Sequence, residues 1–376
     1  MDPAAIRRHA VGMVFLYLGF LAFIFGLLAL DLGVFHRKPA VETVRGSLAW
    51  SAGWISLGLS FAGLIYLGYE HHWLGLGTGI DADTDPWIGA DGVTYYNDGA
   101  SAAMKYVTGF VVEKSLAIDN IFVIAMIFAA FRVPAMYQHR VLFWGIVGAL
   151  AMRGALIAIG AALLARFGWI MYVFGAFLVV TGIRMLFAEQ AAGNLEDNRA
   201  VRLLRRLIPT TQRYHGAHFL VRAGSSAGDA PATPDAAAEP DRVVAAARRG
   251  ALLATPLLLA LIMVEFTDVV FAVDSIPAVF AITTDPFLVF TSNVFAILGL
   301  RSLYFALAGM IDRFHHLATA LAVVLVLVGG KMLAHHWLHD LLGRHANFFV
   351  LGAIMLIIGA GVVASLLRPR QATFAG

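Results

Sequence analysis

The stretch "EFTDVVFAVDS" at residues 265–275 sets three carboxylates, Glu265, Asp268 and Asp274, inside a run that is otherwise apolar. Its flanks, "TPLLLALIMV" (255–264) and "IPAVFAI" (276–282), have the composition of a bilayer interior. An ionised carboxylate at the centre of a membrane costs roughly 3 kcal/mol on insertion scales. A segment that keeps three of them there either pairs them or uses them.

Composition says the same of the whole chain. Of 376 residues, 60% are hydrophobic and 14% charged, where a soluble domain carries about a quarter charged. Several runs of about 20 mostly apolar residues are each long enough to cross roughly 30 Å of hydrocarbon. The fold class expected is an all-α polytopic membrane protein with about nine transmembrane helices. They fall near 11–30, 48–68, 104–130, 141–164, 168–188, 253–280, 287–309, 317–338 and 347–367. The first run follows "MDPAAIRRHA" but is too long for a signal-peptide core and has no A-x-A-like cleavage site, so it reads as a span. Cysteine is absent, which excludes disulfides, thiolate metal sites and CxxC redox pairs.

Charge sets the expected orientation. The connection 69–103 holds Glu70, Asp81, Asp83, Asp85, Asp91 and Asp98, whereas 189–250 holds Arg199, Arg202, Arg205, Arg206, Arg213, Arg222, Arg242, Arg248 and Arg249. Positive loops stay cytoplasmic, so 189–250 is expected inside and 69–103 outside. The N-terminus is then outside, against the mild pull of Arg7 and Arg8, and the C-terminus cytoplasmic. Within the inner loop, "AGSSAGDAPATPDAAAEPD" (223–241) is low-complexity and expected to be disordered. Just before it, "NRAVRLLRRLIP" (198–209) is either topogenic charge or a basic amphipathic surface helix.

The chain also repeats itself. "EKSLAIDNI" (113–121) and "DVVFAVDSI" (268–276) share one pattern, in which Glu113 matches Asp268, Asp119 matches Asp274, and Asn120 matches Ser275. Downstream of the first copy come Arg153, "RF" at 166–167 and "RML" at 184–186. Downstream of the second come Arg301, "RF" at 313–314 and "KML" at 331–333. The separation from Arg166 to Arg184 equals that from Arg313 to Lys331. Three spans thus recur, as 104–188 and 253–338, and an odd number of spans inverts the second unit. Inverted repeats with a site at their interface near the midplane are a common transporter architecture. The organisation expected is therefore 1–103 (two spans and the acidic outer loop), 104–188 (first unit), 189–250 (basic loop), 253–338 (second unit) and 339–376 (last span and tail).

At 1.5 Å per residue, Glu113 and Asp119 lie roughly 12 and 21 Å into their span, and Asp268 and Asp274 are likewise expected deep within theirs. Residues seven apart share a helix face, which aligns Glu113 with Asn120 and Asp268 with Ser275. Residues six apart diverge by about 120°. Either the helices unwind locally, which Pro277 would allow, or the site has two lobes. The acids have two uses open to them: ion pairs with Lys114, Arg153, Arg184, Arg301 or Lys331, or a cation pathway. Carboxylate, amide and hydroxyl oxygens without thiolates suit Mn²⁺, Mg²⁺ or Ca²⁺, and protons are also candidates. The histidines His71, His72, His315, His316, His335, His336 and His339 stand at span ends, away from the acids.

"GFVVEKSLAIDNIFV" (109–123), "VEFTDVVFAVDSIPAVFAIT" (264–283) and "TSNVFAILGLRSLYF" (291–305) resemble the signature segments of the TerC/Alx family of bacterial integral membrane proteins. "LDLGVFHRK" (30–38) and "FWGIVGALAMRGALI" (143–157) fit as well, so the resemblance covers roughly residues 30–367. It implies an inner-membrane protein of the lysine-exporter (LysE) superfamily type and Mn²⁺ efflux, with tellurite, alkaline or redox stress linked to some members. The family's acidic positions carry over to Glu113, Asp119, Glu265, Asp268 and Asp274. Tellurite is an oxyanion that these acids would repel, so such a phenotype is expected to be indirect.

The expectation is thus a divalent cation exporter embedded in the lipid bilayer, with Mn²⁺ as substrate and no tightly bound cofactor. Asp119 and Asp274 are expected as symmetric core ligands, with Glu113, Asp268 and Glu265 as co-ligands or proton acceptors. Asn120, Ser275, Thr267 and Asn293 would add neutral oxygens, and Arg153 and Arg301 would hold the acids between cycles. The acidic outer loop either gathers cations or is merely topogenic. Export of an amino acid or small organic solute is an alternative, as is a membrane scaffold for a stress-response complex. No nucleotide motif, nucleophile elbow or HExxH is present. Neither an enzyme nor a nucleic-acid partner is expected; "GLGTG" (75–79) is too short to count.

Overall fold

The computed structural model describes residues 3–31, 44–81, 84–187, 210–211, 213–223, 243–244, 248, 250–307, 315–334, 337 and 346–367. In chain order the elements begin with α1 (Pro3–Leu30), α2 (Val44–Glu70), the two-residue strands β1 (Trp87–Ile88) and β2 (Thr94–Tyr95), and α3 (Gly99–Ala130). Next come α4 (Ala135–Arg166), α5 (Ile170–Phe187), β3 (Leu220–Arg222) and β4 (Leu252–Ala254). The chain continues with α6 (Pro256–Phe280), α7 (Pro286–Ile297), α8 (Leu300–Leu307), α9 (His315–Leu333) and α10 (Ala346–Leu367). Residues 224–241 of the low-complexity stretch, the basic segment 198–209, Arg368 and Arg370 of the tail, and His335, His336 and His339 lie outside the described residues.

Seven helices are long and apolar enough to cross a membrane: α1, α2, α4, α5, α6, α9 and α10. The bent pair α7–α8, angled by 40°, makes up to eight among the described residues. Of the nine expected spans, the other one falls on α3. That helix has 32 residues but carries Lys105, Glu113, Lys114 and Asp119, too many charges to qualify by composition. It packs against α2, α6 and α7, so its charges face protein. Helices suit this setting because each satisfies its own backbone polar groups where no water can.

Helices of the two expected three-helix units pack on one another: α3 lies on α7, and α6 on α4. The third helices, α5 and α9, pack on each other, and glycines set their separation. A Cβ added at Gly329 would stand 2.7 Å from the Gly175 carbonyl oxygen, and one at Gly182 would stand 2.7 Å from that of Ala322. Small residues let membrane helices approach backbone to backbone and gain dispersion contact. Rings of Phe20, Phe61, Tyr106 and Phe295 interlock α1, α2, α3 and α7, which seats α7 against the rest of the bundle.

The helix break is not at Pro277. Helix α6 runs through that proline to Phe280, and the Pro277 carbonyl accepts from Ala281 N at 3.0 Å. Unwinding occurs instead between α7 and α8, where Leu298 closes α7 and Gly299 takes φ +77°. A Cβ at Gly299 would also fall 2.6 Å from Cβ of Trp54. Gly299→Ala is therefore expected to destabilise the protein by about 2 kcal/mol or more, read as a lowered unfolding midpoint in detergent. Proline removes one donor, but flanking turns can hold the helix together. A left-handed residue ends the helical turn outright, and here the chain bends by 40° before α8.

Two small ladders depart from the all-helical expectation. β1 pairs antiparallel with β2 in the acidic loop, and β3, within the arginine-rich loop, pairs antiparallel with β4 just after it. Tyr214 next to β3 donates to the Phe131 carbonyl at 2.7 Å, tying that loop to the α3–α4 turn.

Candidate functional site

Four helices meet at Arg153, which is 2% exposed in the middle of α4. Its Nε and Nη2 donate to Asp268 Oδ2 and Oδ1 at 3.1 and 2.9 Å, a two-pronged pairing with α6. Its Nη1 donates to Glu113 of α3, to Asn293 Oδ1 of α7 at 3.1 Å, and to Ser275 Oγ of α6 at 3.4 Å. The planar fork of an arginine fits a carboxylate in this manner, and the pairing gains strength away from water. With both carboxylates ionised the cluster carries one excess negative charge. Two buried atoms in it have no hydrogen-bond partner, Glu113 Oε2 and Asn293 Nδ2. Each is a polar atom of the kind usually satisfied by water, a proton or an ion.

A small cleft beside this cluster is lined by residues of α3, α4, α6, α7 and α8. Asn120, Thr267, Asp268 and Arg301 supply its polar lining, among apolar side chains such as Ile124 and Phe271. Thr267 donates its own hydroxyl to the Val264 carbonyl at 2.9 Å, leaving its oxygen lone pairs for the cleft. Glu265 leans over Gly148, where an added Cβ would collide with its carboxylate, and its Oε2 is buried without a partner.

Other expected members lie elsewhere. Arg301 does not hold the repeat acids: its Nη2 pairs with Asp31 at 3.0 Å and its Nη1 meets His139 Nε2 at 2.8 Å. Asp31 and His139 fall between the spans expected from the sequence, the first just after 11–30 and the second between 104–130 and 141–164. An arginine buried in a span calls for such a partner, but nothing in the sequence says which acid supplies it. Asp274 turns toward Thr181 of α5, and Asp119 sits half-buried, six residues from Glu113 on an unbroken α3. Neither expected core ligand joins the Arg153 cluster, because both helices stay wound and residues six apart diverge. Lys114 and Lys331 serve backbone carbonyls, of Ala296 and Leu298 in one case and Ala281 in the other, while Arg184 is exposed. Among the described residues no three carboxylate or imidazole side chains stand together as a metal cage; the cation that gathers the acids is Arg153.

The acidic loop has a buried anchor. Asp81, 1% exposed, accepts from Lys105 Nζ at 2.8 Å, Asn97 Nδ2 at 3.0 Å, Thr283 Oγ1 at 2.5 Å and Thr284 N at 3.1 Å. Burial by itself would raise this carboxyl's pKa, but the Lys105 charge and these hydrogen bonds hold it well below the usual range. The anchor pins the loop across the mouth of the bundle, onto the turn between α6 and α7. Asp285 caps α7 through Phe287 N at 3.0 Å and accepts from Tyr69 at 2.9 Å. Burial, then the Asp81 charge, pushes its carboxyl up to about 6. A raised folded-state pKa gives stability that is present below about 4 and lost as pH rises through about 6. Two such units correspond to about 3 kcal/mol at most. Asp285→Asn, which keeps the cap, is expected to remove that part of the pH dependence of the unfolding midpoint between pH 4 and 7.

A model of the integral membrane protein TerC family matches residues 98–373. The chain is 42% identical to an uncharacterised membrane protein of Myxococcus xanthus, over 96% of this chain and 95% of that one. It is 40% identical to Alx of Escherichia coli K12, whose name describes a candidate membrane-bound redox modulator, over 88% of this chain and 89% of that one. A membrane protein of Rickettsia bellii is 33% identical over 93% and 96%. No solved structure matches the chain.

Proposed function

The chain belongs to the TerC family of integral membrane proteins, and on that premise we propose that it exports a divalent metal cation, with Mn²⁺ as the first candidate. The observation that carries this reading is the Arg153 cluster, where two carboxylates, the buried Glu113 and the partly buried Asp268, share one tethered cation. Glu113, Asp268, Ser275 and Asn293 offer hard oxygens, the donor set of Mn²⁺, Mg²⁺ and Ca²⁺. Asp268 lines the cleft, which in this reading is its access from the side of the arginine-rich loop, the side that the positive-inside rule assigns to the cytoplasm of a bacterial inner membrane.

In this mechanism Arg153 and the substrate compete for the same oxygens. A cation reaching Asp268 through the cleft draws the carboxylates from the guanidinium, and its departure on the other side lets Arg153 return. The acids are never left bare in a low dielectric, where an unpaired charge costs several kcal/mol. The pinned acidic loop and the α6–α7 turn form the barrier on the far side. With no cysteine in the chain, any redox effect would act through the metal and not through thiols.

A second reading, export of an amino acid, is favoured by one feature: the cleft sets the Asp268 carboxylate and the Arg301 guanidinium on one lining, a complement for a zwitterion. The test is cellular Mn²⁺ after a manganese load, in cells carrying the intact chain or its carboxylate variants at matched membrane levels. Loss of efflux in the variants supports the metal reading. Full efflux in all of them, or competition by amino acids, moves the organic-solute reading to the front.

A further inference from the structure

The break between α7 and α8 holds a second cation, and it belongs to the chain. Lys114 of α3 reaches across to donate to the carbonyls of Ala296 and Leu298, each at 3.0 Å. Helix α7 ends at Ile297, so its last carbonyls lack the donors of a following turn. The negative end of the helix dipole points at the same place. Among the described residues no carboxylate pairs with Lys114. Its ammonium, partly buried within the bundle, is held by neutral backbone oxygens. Carbonyls from an unwound segment and the C-terminal end of a half-helix are the ligands with which discontinuous membrane helices bind monovalent cations. The adjoining Ile297 and Leu300 line the cleft, which places the break beside it.

We propose that this break is a latent monovalent cation site filled by the Lys114 ammonium, so that Na⁺ and K⁺ are shut out of it. The lysine stands in for a bound ion and makes the bent span's conformation independent of the surrounding salt. K⁺ is the better free substitute, because it is close in size to an ammonium and less strongly hydrated than Na⁺. The inference does not rest on metal export, since it concerns what holds the break and is read by stability alone.

The experiment uses the full chain purified in detergent, with unfolding midpoints measured in KCl, NaCl and N-methyl-D-glucamine chloride at equal ionic strength. The intact protein is expected to give the same midpoint in all three. Lys114→Ala removes the ammonium and opens space for an ion. Its midpoint should fall in N-methyl-D-glucamine and recover most of the loss in KCl, saturably and more than in NaCl, as binding to the folded state alone requires. Lys114→Gln keeps amide donors but no charge, and it decides the matter if the alanine variant cannot be purified. A K⁺-dependent midpoint in the glutamine variant supports the site. Midpoints that ignore the identity of the cation in whichever variants can be purified overturn the proposal and leave Lys114 a hydrogen-bond donor. A K⁺-dependent midpoint in the intact protein overturns it as well.

Discussion

Cells carrying Glu113→Gln together with Asp268→Asn are expected to retain as much Mn²⁺ after a manganese load as cells without the protein. The two carboxylates supply the charged oxygens that Arg153 holds, and amides in their place keep the shape while removing the charge. A divalent ion in a low dielectric needs anionic ligands, and even partners one shell further out are worth roughly 10–100-fold in metal affinity. Loss of both carboxylates should therefore abolish efflux rather than slow it. The single variants Asp119→Asn and Asp274→Asn, which lie off the Arg153 cluster, are expected to lower efflux less. Efflux by the double variant at the intact level would show the Arg153 cluster to be an ion pair that fastens helices and nothing more.

The second large effect is on stability. Arg153→Met should destabilise the folded protein by about 3–5 kcal/mol, because it leaves Glu113 and Asp268 buried without their counter-charge. Adding Glu113→Gln and Asp268→Asn to Arg153→Met removes the charge imbalance, and replacing a whole buried ion cluster by neutral groups of similar volume is close to neutral for stability. The triple variant is thus expected to recover most of the lost midpoint in detergent and none of the Mn²⁺ efflux. That pairing separates a cluster that only holds helices together from one that also handles a substrate. Recovery of both stability and efflux would remove the cluster from the pathway.

Much of this architecture can be read without coordinates. Apolar runs interrupted by matching acids locate the spans, and the correspondence of Glu113 with Asp268 marks the two helices that converge. The seven-residue spacing from Asp268 to Ser275 puts both on the face that meets Arg153. Asp119 and Asp274 mislead for a definite reason. Their place in the repeat is as regular as that of Glu113 and Asp268, but repeat position says nothing about which neighbour covers a helix face. Pro277 misleads similarly, since a residue that weakens a helix does not break one that its surroundings hold.

The order of apolar and charged residues by itself determined that this chain crosses a membrane many times. It also placed the matching acids within two long helices, α3 and α6, because hydropathy and helical rise are local properties of consecutive residues. Only the tertiary structure decided the partners: Arg153 for Glu113 and Asp268, Asp31 and His139 for Arg301, the α7 carbonyls for Lys114, and Thr283 for Asp81, 202 residues away. These contacts join residues far apart in the chain. Which of several buried charges meet depends on where helices cross, and small residues such as Gly175, Gly329 and Gly299 settle that by how closely they let backbones approach or turn.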